Sequence, residues 1–239
     1  MSHTIQDISL LNLGIGFVPM LFVLGFLIKW HMNYGNVVYA IARMVTQLLI
    51  IGYLLVFIFN TKNPWIVLGI LFVMLVASGW IALGVVKQYQ RKLLPNALTA
   101  IFTGGGVTLL VVTQGVLSLE PWYEPRYVIP LAGMIFANSM NTVSLAVERM
   151  TSETARGADY GAARNAAFQA SLIPVINSLF AVGLVSLPGM MTGQILSGVS
   201  PLVAVRYQMV VMCMIFSSAG ISSALFLILG KKYFNQQAD

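Results

Sequence analysis

The chain has 239 residues, 58% of them hydrophobic and only 8% charged, with a mean hydropathy of +0.85. A soluble domain carries about 25% charged residues, so this composition excludes a soluble globular enzyme and a disordered chain alike. The net charge of +6 comes from 13 Lys+Arg against 7 Asp+Glu. The basic residues sit between apolar runs, which points to membrane orientation and away from nucleic acid.

About 20 apolar residues are needed to carry a helix across a bilayer with every backbone N–H satisfied internally. Seven runs meet that length: 9–28, 37–59, 65–86, 97–119, 127–146, 167–187 and 207–230. The expected fold is therefore all-α and polytopic, with about seven transmembrane helices in one domain over 1–239. The first run is expected to be a span and not a cleaved leader, since no basic stretch precedes it and Lys29 follows it. An N-out, C-in arrangement places Lys29, Lys87, Arg91, Lys92, Arg149, Arg156, Arg164, Lys231 and Lys232 inside and Lys62, Arg126 and Arg206 outside, as the positive-inside rule requires. The stretch 188–206 is too long for a simple turn and too apolar for a solvated loop. It either re-enters the membrane against protein or lies outside.

Arg43 is the only charge within these runs. It is either an interfacial anchor or a bundle-facing cation that pairs with a carboxylate such as Glu148 or attracts an anionic substrate. The fourth run holds three consecutive glycines, Gly104–Gly106, which permit close helix contact or a break. The fifth run carries Asn138, Ser139, Asn141, Thr142 and Ser144. These groups either hydrogen-bond across helices or line a wet path. Pro130 and Pro174 each lie early in a run and act as static kinks or hinges. Asn177, three residues after Pro174, is placed to satisfy a freed carbonyl.

The longest polar stretch, 147–165, reads VERMTSETARGADYGAARN. Thr151 or Ser152 is expected to cap a short cytoplasmic helix there, with Glu148 and Glu153 close by. The single cysteine, Cys213, excludes an intrachain disulfide. Met190, Met191, Met209, Met212 and Met214 cluster near the last two runs. Thioethers suit soft cations, and they also serve as apolar filler. No Walker A, HExxH, CxxC or G-x-S-x-G pattern is present, and none of the acidic residues lies in a predicted run. Coupling to an ion gradient through a membrane carboxylate has no evident basis, so energy is expected from a partner.

The segments ARMVTQLLIIGYLLVFIF, YVIPLAGMIFANSM and, above all, LIPVINSLFAVGLVSLPGMMTGQILSGVSPLVAVRYQMVVM resemble the FetB (YbbM-like) permease family. These are membrane subunits of small ABC transporters. Bacterial members are associated with iron export, and plant relatives with aluminium tolerance and UDP-glucose transport. The resemblance implies an ABC permease in a bacterial inner membrane. It is expected to pair with a second copy and two ATPase subunits, with ATP and Mg on the partner and no cofactor on this chain. It also implies a coupling role for 147–165. The family's Leu-Gly-Ala-Thr-Pro is matched only at Gly157 and Ala158, within Arg156-Gly157-Ala158-Asp159-Tyr160. The expected ATPase-coupling residues are thus Glu148, Arg149, Arg156, Gly157 and Ala158. The expected substrate path comprises Arg43, Asn138, Asn141, Pro174, Asn177, Met190 and Met191. A nucleotide sugar, another anionic or amphipathic substrate, and a stand-alone channel or carrier are the alternatives.

Overall fold

The computed structural model describes residues 8–235, and it falls into two compact units that meet in sequence at Thr61 and Lys62. The first unit holds α1 (Leu10–Ile15), α2 (Val18–Lys29) and α3 (Tyr34–Phe59). The first expected span is therefore two helices broken at Gly16, with Pro19 in the opening turn of α2. His31, at φ 53, turns the chain from α2 into α3, and the two helices pack together. Their apolar side chains remain largely exposed; Leu21, Phe22, Leu48 and Tyr53 are examples. Such continuous apolar exposure suits hydrocarbon, not water.

The second unit holds α4 (Pro64–Ala82) with a 3-10 turn (Leu83–Val86), then α5 (Gln90–Leu110) ending in a π turn (Val111–Val116). It continues through α6 (Pro125–Ala155), α7 (Tyr160–Ala181), α8 (Gly189–Leu196), α9 (Pro201–Leu229) and α10 (Lys231–Asn235). Helix α6 is central and packs on α4, α5, α7 and α9. Its buried face runs through Leu131, Ile135, Ser139, Thr142, Ala146, Met150 and Thr154, the three-to-four-residue spacing of one helix face. Helices α5 and α9 approach closely because Gly104 has no side chain: a Cβ there would meet the Ser222 backbone nitrogen at 2.8 Å. A Cβ on Gly105 would likewise meet Ile135 of α6 at 2.9 Å.

Among the described residues, six helical segments are long and apolar enough to cross a membrane: Leu10–Lys29, Tyr34–Phe59, Pro64–Val86, Gln90–Val116, Pro125–Ala155 and Pro201–Leu229. The expected sixth span, 167–187, is displaced. Helix α7 begins at Tyr160, where Asp159 caps it, and ends at Ala181. It is not among the six because Arg164, Asn165, Gln169 and Asn177 dilute its apolar character, yet it lies alongside α6 and α9 in the bundle. The expected start at 207 is also corrected. Helix α9 begins six residues earlier because Pro201 occupies its first turn, where a missing N–H costs nothing. The fourth span is shifted toward the N-terminus: Gln90 opens α5 and donates from its side chain to the Trp80 carbonyl (2.8 Å).

The largest correction concerns 147–165. No separate helix lies between α6 and α7. The buried face of α6 continues through Met150 and Thr154, so the helix runs to Ala155, and Thr151 and Ser152 lie inside it. The connection is the four-residue elbow 156–159.

Helices α7 and α9 run antiparallel. The Tyr160 hydroxyl reaches Leu227, Ser171 meets Ser223, and Ser178 shares a cavity with Gln208. The 182–200 connection therefore joins their far ends. Helix α8 has 8 residues and is about 12 Å long, against roughly 30 Å of hydrocarbon. A full crossing by 188–206 is excluded, and α8 folds back onto α9.

Candidate functional site: an ion-paired elbow and a polar seam

The elbow is built by local signals that stop one helix and start the next. Gly157 adopts φ +83, its N–H donates to the Thr154 carbonyl (3.0 Å), and the Ala158 N–H donates to the Glu153 carbonyl (3.2 Å). This pair of bonds is the Schellman closure, which requires a left-handed residue that glycine adopts without steric cost. Two residues on, the Asp159 carboxylate accepts the Ala162 N–H at 3.1 and 3.2 Å and opens α7.

Charge then stiffens the corner. The Arg149 guanidinium lies 2.6 Å from the Glu153 carboxylate, and Arg156 lies 3.7 Å from the same oxygen. Glu148 is exposed on the outer face of α6. Tyr160 ties the elbow to the end of α9: its hydroxyl donates to the Leu227 carbonyl at 2.8 Å. Lys231 and Arg164 stand 5.5 and 5.9 Å from its ring centre, within cation–π range. Burial raises the Tyr160 phenol above its ordinary value of 10.0, and the Arg164 charge opposes that shift.

The same end of the second unit gathers two further basic segments. The Tyr89 ring lies 5.4 Å from that of Tyr233, and Asn96 donates to the Leu229 carbonyl (3.2 Å). The segment carrying Lys87, Arg91 and Lys92, the elbow, and the pair Lys231 and Lys232 thus share one end. At the loop before α6, the Tyr123 hydroxyl donates to the Lys62 carbonyl (2.8 Å), joining two segments expected together on the other side.

The second feature is the seam where α6, α7 and α9 meet. Its inner wall is a column of buried hydroxyls. Ser171 and Ser223 share a hydrogen bond of 2.8 Å, Ser222 donates to Ser139 (3.1 Å), and Thr142 reaches the Ala219 carbonyl (3.3 Å). The polar residues of α6 therefore divide. Ser139 bonds across to α9, Asn138 and Asn141 line open space, and Thr142 does both. A small cavity of about 80 Å³ is lined by Asn138, Asn141, Pro174 and Ser178. A larger one of about 280 Å³ adjoins it, lined by Met134, Asn138, Ser178, Met190, Gln208 and Met212 among others.

The expected path residues are thus partly assembled. Asn138, Asn141 and Pro174 converge, and Met190 joins Asn138 in the larger cavity. Met191 lines a neighbouring cavity of about 380 Å³ instead. Asn177 is exposed on α7 and lines none of these three cavities; the hydroxyl donating to the Pro174 carbonyl (2.9 Å) belongs to Ser178. Arg43 belongs to the first unit and is exposed on α3. Sequence reasoning missed Gln208, Ser178 and the role of Tyr160, and it named Glu153 without its arginine partners. The available signals were an amide set in an apolar, Met-rich run and an acid four residues after Arg149. Among the described residues, no group of three His, Cys, Asp or Glu is placed to hold a metal ion.

These features define a multi-pass α-helical membrane protein with a polar seam inside its bundle and a stiff, charged elbow at one end. A bacterial inner membrane fits it. The chain belongs to the UPF0014 family, described as an uncharacterised protein family, whose model matches residues 10–234. It is 34% identical to the UPF0014 membrane protein slr1647 of Synechocystis, across 99% of this chain and 98% of that one. It is 35% identical to the protein ALUMINUM SENSITIVE 3 of Arabidopsis thaliana, covering 79% of this chain and 73% of that one. With the probable iron export permease protein FetB of Escherichia coli the identity is 33%, covering 84% of this chain and 83% of the relative. No solved structure matches the chain.

Proposed function

We propose that this chain is the membrane permease subunit of an ABC-type exporter, driven by a separate ATPase subunit that docks on the α6–α7 elbow. The observation that carries this reading is the elbow itself. A Schellman closure and an Asp cap are common helix-end signals, but a plain solvated loop adds neither a two-arginine clamp on Glu153 nor a tyrosine bolt to α9. A corner built to transmit force does, because push applied to a stiff hairpin moves its helices as a rigid body. Arg149, Arg156, Gly157 and Ala158 form the corner, and Glu148 offers an exposed charge beside it.

The working assembly is two copies of this chain with two ATPase subunits that hold ATP and Mg. Counting α7 as a crossing gives seven spans with the N-terminus outside and the elbow and C-terminus inside, the end where the basic segments gather. Nucleotide-driven closure of the ATPases draws the two elbows together. Helices α6 and α7 tilt against α9, and access to the seam switches sides. Taking such a two-state bundle from 1:99 to 99:1 needs about 5.5 kcal/mol.

The substrate reading is a metal ion, exported as the name of the E. coli relative says of that protein. A nucleotide sugar is less favoured, since no Lys, Arg or His lines the two seam cavities to receive its phosphates. The test is co-purification with an ATP-binding-cassette protein encoded beside this one, and ATP hydrolysis by the complex in nanodiscs. Gly157→Pro and Ala158→Glu should each uncouple hydrolysis from this subunit. Unchanged coupling in both removes the elbow from the mechanism, and the absence of any stable complex revives a stand-alone carrier.

A further inference from the structure

The fold sorts the clustered methionines into two groups. Met214 is buried in the core at 1% exposure. The others face open space: Met190 of α8 and Met212 of α9 line the 280 Å³ cavity with Met134 of α6. Met191 and Met209 line the 380 Å³ cavity with Met212 again and Cys213. Three residues, Val182, Gln208 and Met212, line both cavities, so a single wall separates them. Six sulfur atoms from three helices thus border two adjoining spaces.

Two of the polar side chains of the first cavity share a bias. The Asn138 amide donates to the Met134 carbonyl (2.8 Å) and the Ser178 hydroxyl to the Pro174 carbonyl (2.9 Å). One Asn138 N–H and the Ser178 O–H are thus used within their own helices, while both side-chain oxygens keep lone pairs. Gln208 is buried at 6% exposure and its side-chain oxygen has no hydrogen-bond partner. A buried carbonyl left unpaired is costly to the fold, and a bound cation relieves it, as a water does. No Asp, Glu, Lys, Arg or His lines either cavity. Neutral oxygens with thioethers are a poor set for a hard di- or trivalent ion, which calls for carboxylates. They are a poor set for an anion as well. They suit a soft, weakly hydrated cation.

We propose that the two cavities form one interrupted route for a soft monovalent cation of the copper(I) or silver(I) class. Met134, Met190 and Met212 are its thioether ligands, and the Gln208 carbonyl is its contact in the dividing wall. The proposal rests on the permease reading and narrows its substrate. Iron is the ion named for the E. coli relative, and the donors along this route are softer than ferrous iron prefers.

The test uses the purified full-length chain in detergent, with no ATPase or nucleotide, in a Cys213→Ser background so that the thiol does not report. Copper(I) is titrated anaerobically against bicinchoninate as a competing chelator, with iron(II) in a parallel titration. The expected result is a site that withdraws copper(I) from the chelator. Loss of a ligand should weaken it at least as much as loss of an outer-shell partner does, about 10–100-fold, in Met134→Leu, Met190→Leu and Met212→Leu. Met214→Leu should leave it unchanged. Leu keeps the side-chain volume, and size-exclusion behaviour checks that each variant folds. Gln208→Leu is the second probe should a methionine variant fail to fold. Failure to compete with the chelator, equal loss in Met214→Leu, no loss in the cavity variants, or tighter iron(II) binding each overturns the proposal. Because the ATPase is absent, these failures leave the elbow reading intact. Copper(I) binding by a chain that forms no ATPase complex would sink only the elbow reading.

Discussion

Gly104→Ala tests the packing on which the seam depends. A Cβ at this position would stand 2.5 Å from the Ser222 hydroxyl oxygen and 2.8 Å from the Ser222 backbone nitrogen. The hydroxyl can rotate away, but the backbone nitrogen cannot. Ordinary contact begins at 3.4 Å, so α9 must retreat from α5 by 3.4 minus 2.8, about 0.6 Å, or tilt to the same effect. Such overpacking costs about 1–3 kcal/mol. The Ser222 to Ser139 hydrogen bond, 3.1 Å long, is at the moved position, and its loss adds about 0.5–1.5 kcal/mol. Against this, Ala gains roughly 1 kcal/mol over Gly in helix propensity. The net expectation is a destabilisation of about 0.5–3.5 kcal/mol. Two residues along, a Cβ on Gly106 would have nothing within 4 Å, so Gly106→Ala receives only the propensity gain. Thermal unfolding of both variants in the same detergent reads the difference. A Gly104→Ala protein as stable as Gly106→Ala would refute the close approach of α5 and α9.

Three further outcomes follow from the elbow and the seam. Tyr160→Phe removes the bond to the Leu227 carbonyl and should cost about 1 kcal/mol at pH 8. Because burial raises the Tyr160 phenol, its contribution is complete below the unfolded value of 10.0 and is lost as pH rises through the higher folded one. The stability gap between wild type and variant should therefore shrink above pH 10, and a gap that holds constant there would contradict the buried donor. Gly157→Ala forces a side chain into φ +83 and should lower stability by about 1–2 kcal/mol, seen as a lower melting temperature, with space around the site ruling out a clash as the cause. Gln208→Leu replaces an unpaired buried oxygen with an apolar group of similar size, so melting should hold or rise while transport falls. A fall in both would mean that the amide is structural.

Composition alone was enough to determine the environment. With 8% charged residues, no surface could be wetted, and apolar runs of span length leave helices as the only structure that satisfies its own backbone. Within the second unit, three of the basic segments expected on one side, 87–92, the elbow and 231–232, are brought to one end by helix packing. Element ends were legible where a local signal existed, as at Pro201 and Gly157, but an apolarity count passed over both. The continuation of α6 through Glu148 and Glu153 was decided by tertiary structure. Met150 and Thr154 face the bundle, and burial on one side outweighs the polarity of the other. Tertiary structure also decided that Ser139 and Thr142 bond to α9 while Asn138 bonds within its own helix, since neighbours in sequence point to different faces of one helix. The assignment of Met214 to the core and of Met134, Met190 and Met212 to a cavity has the same origin. Identical side chains acquire different chemistry only when distant helices determine whether they meet carbon or a void.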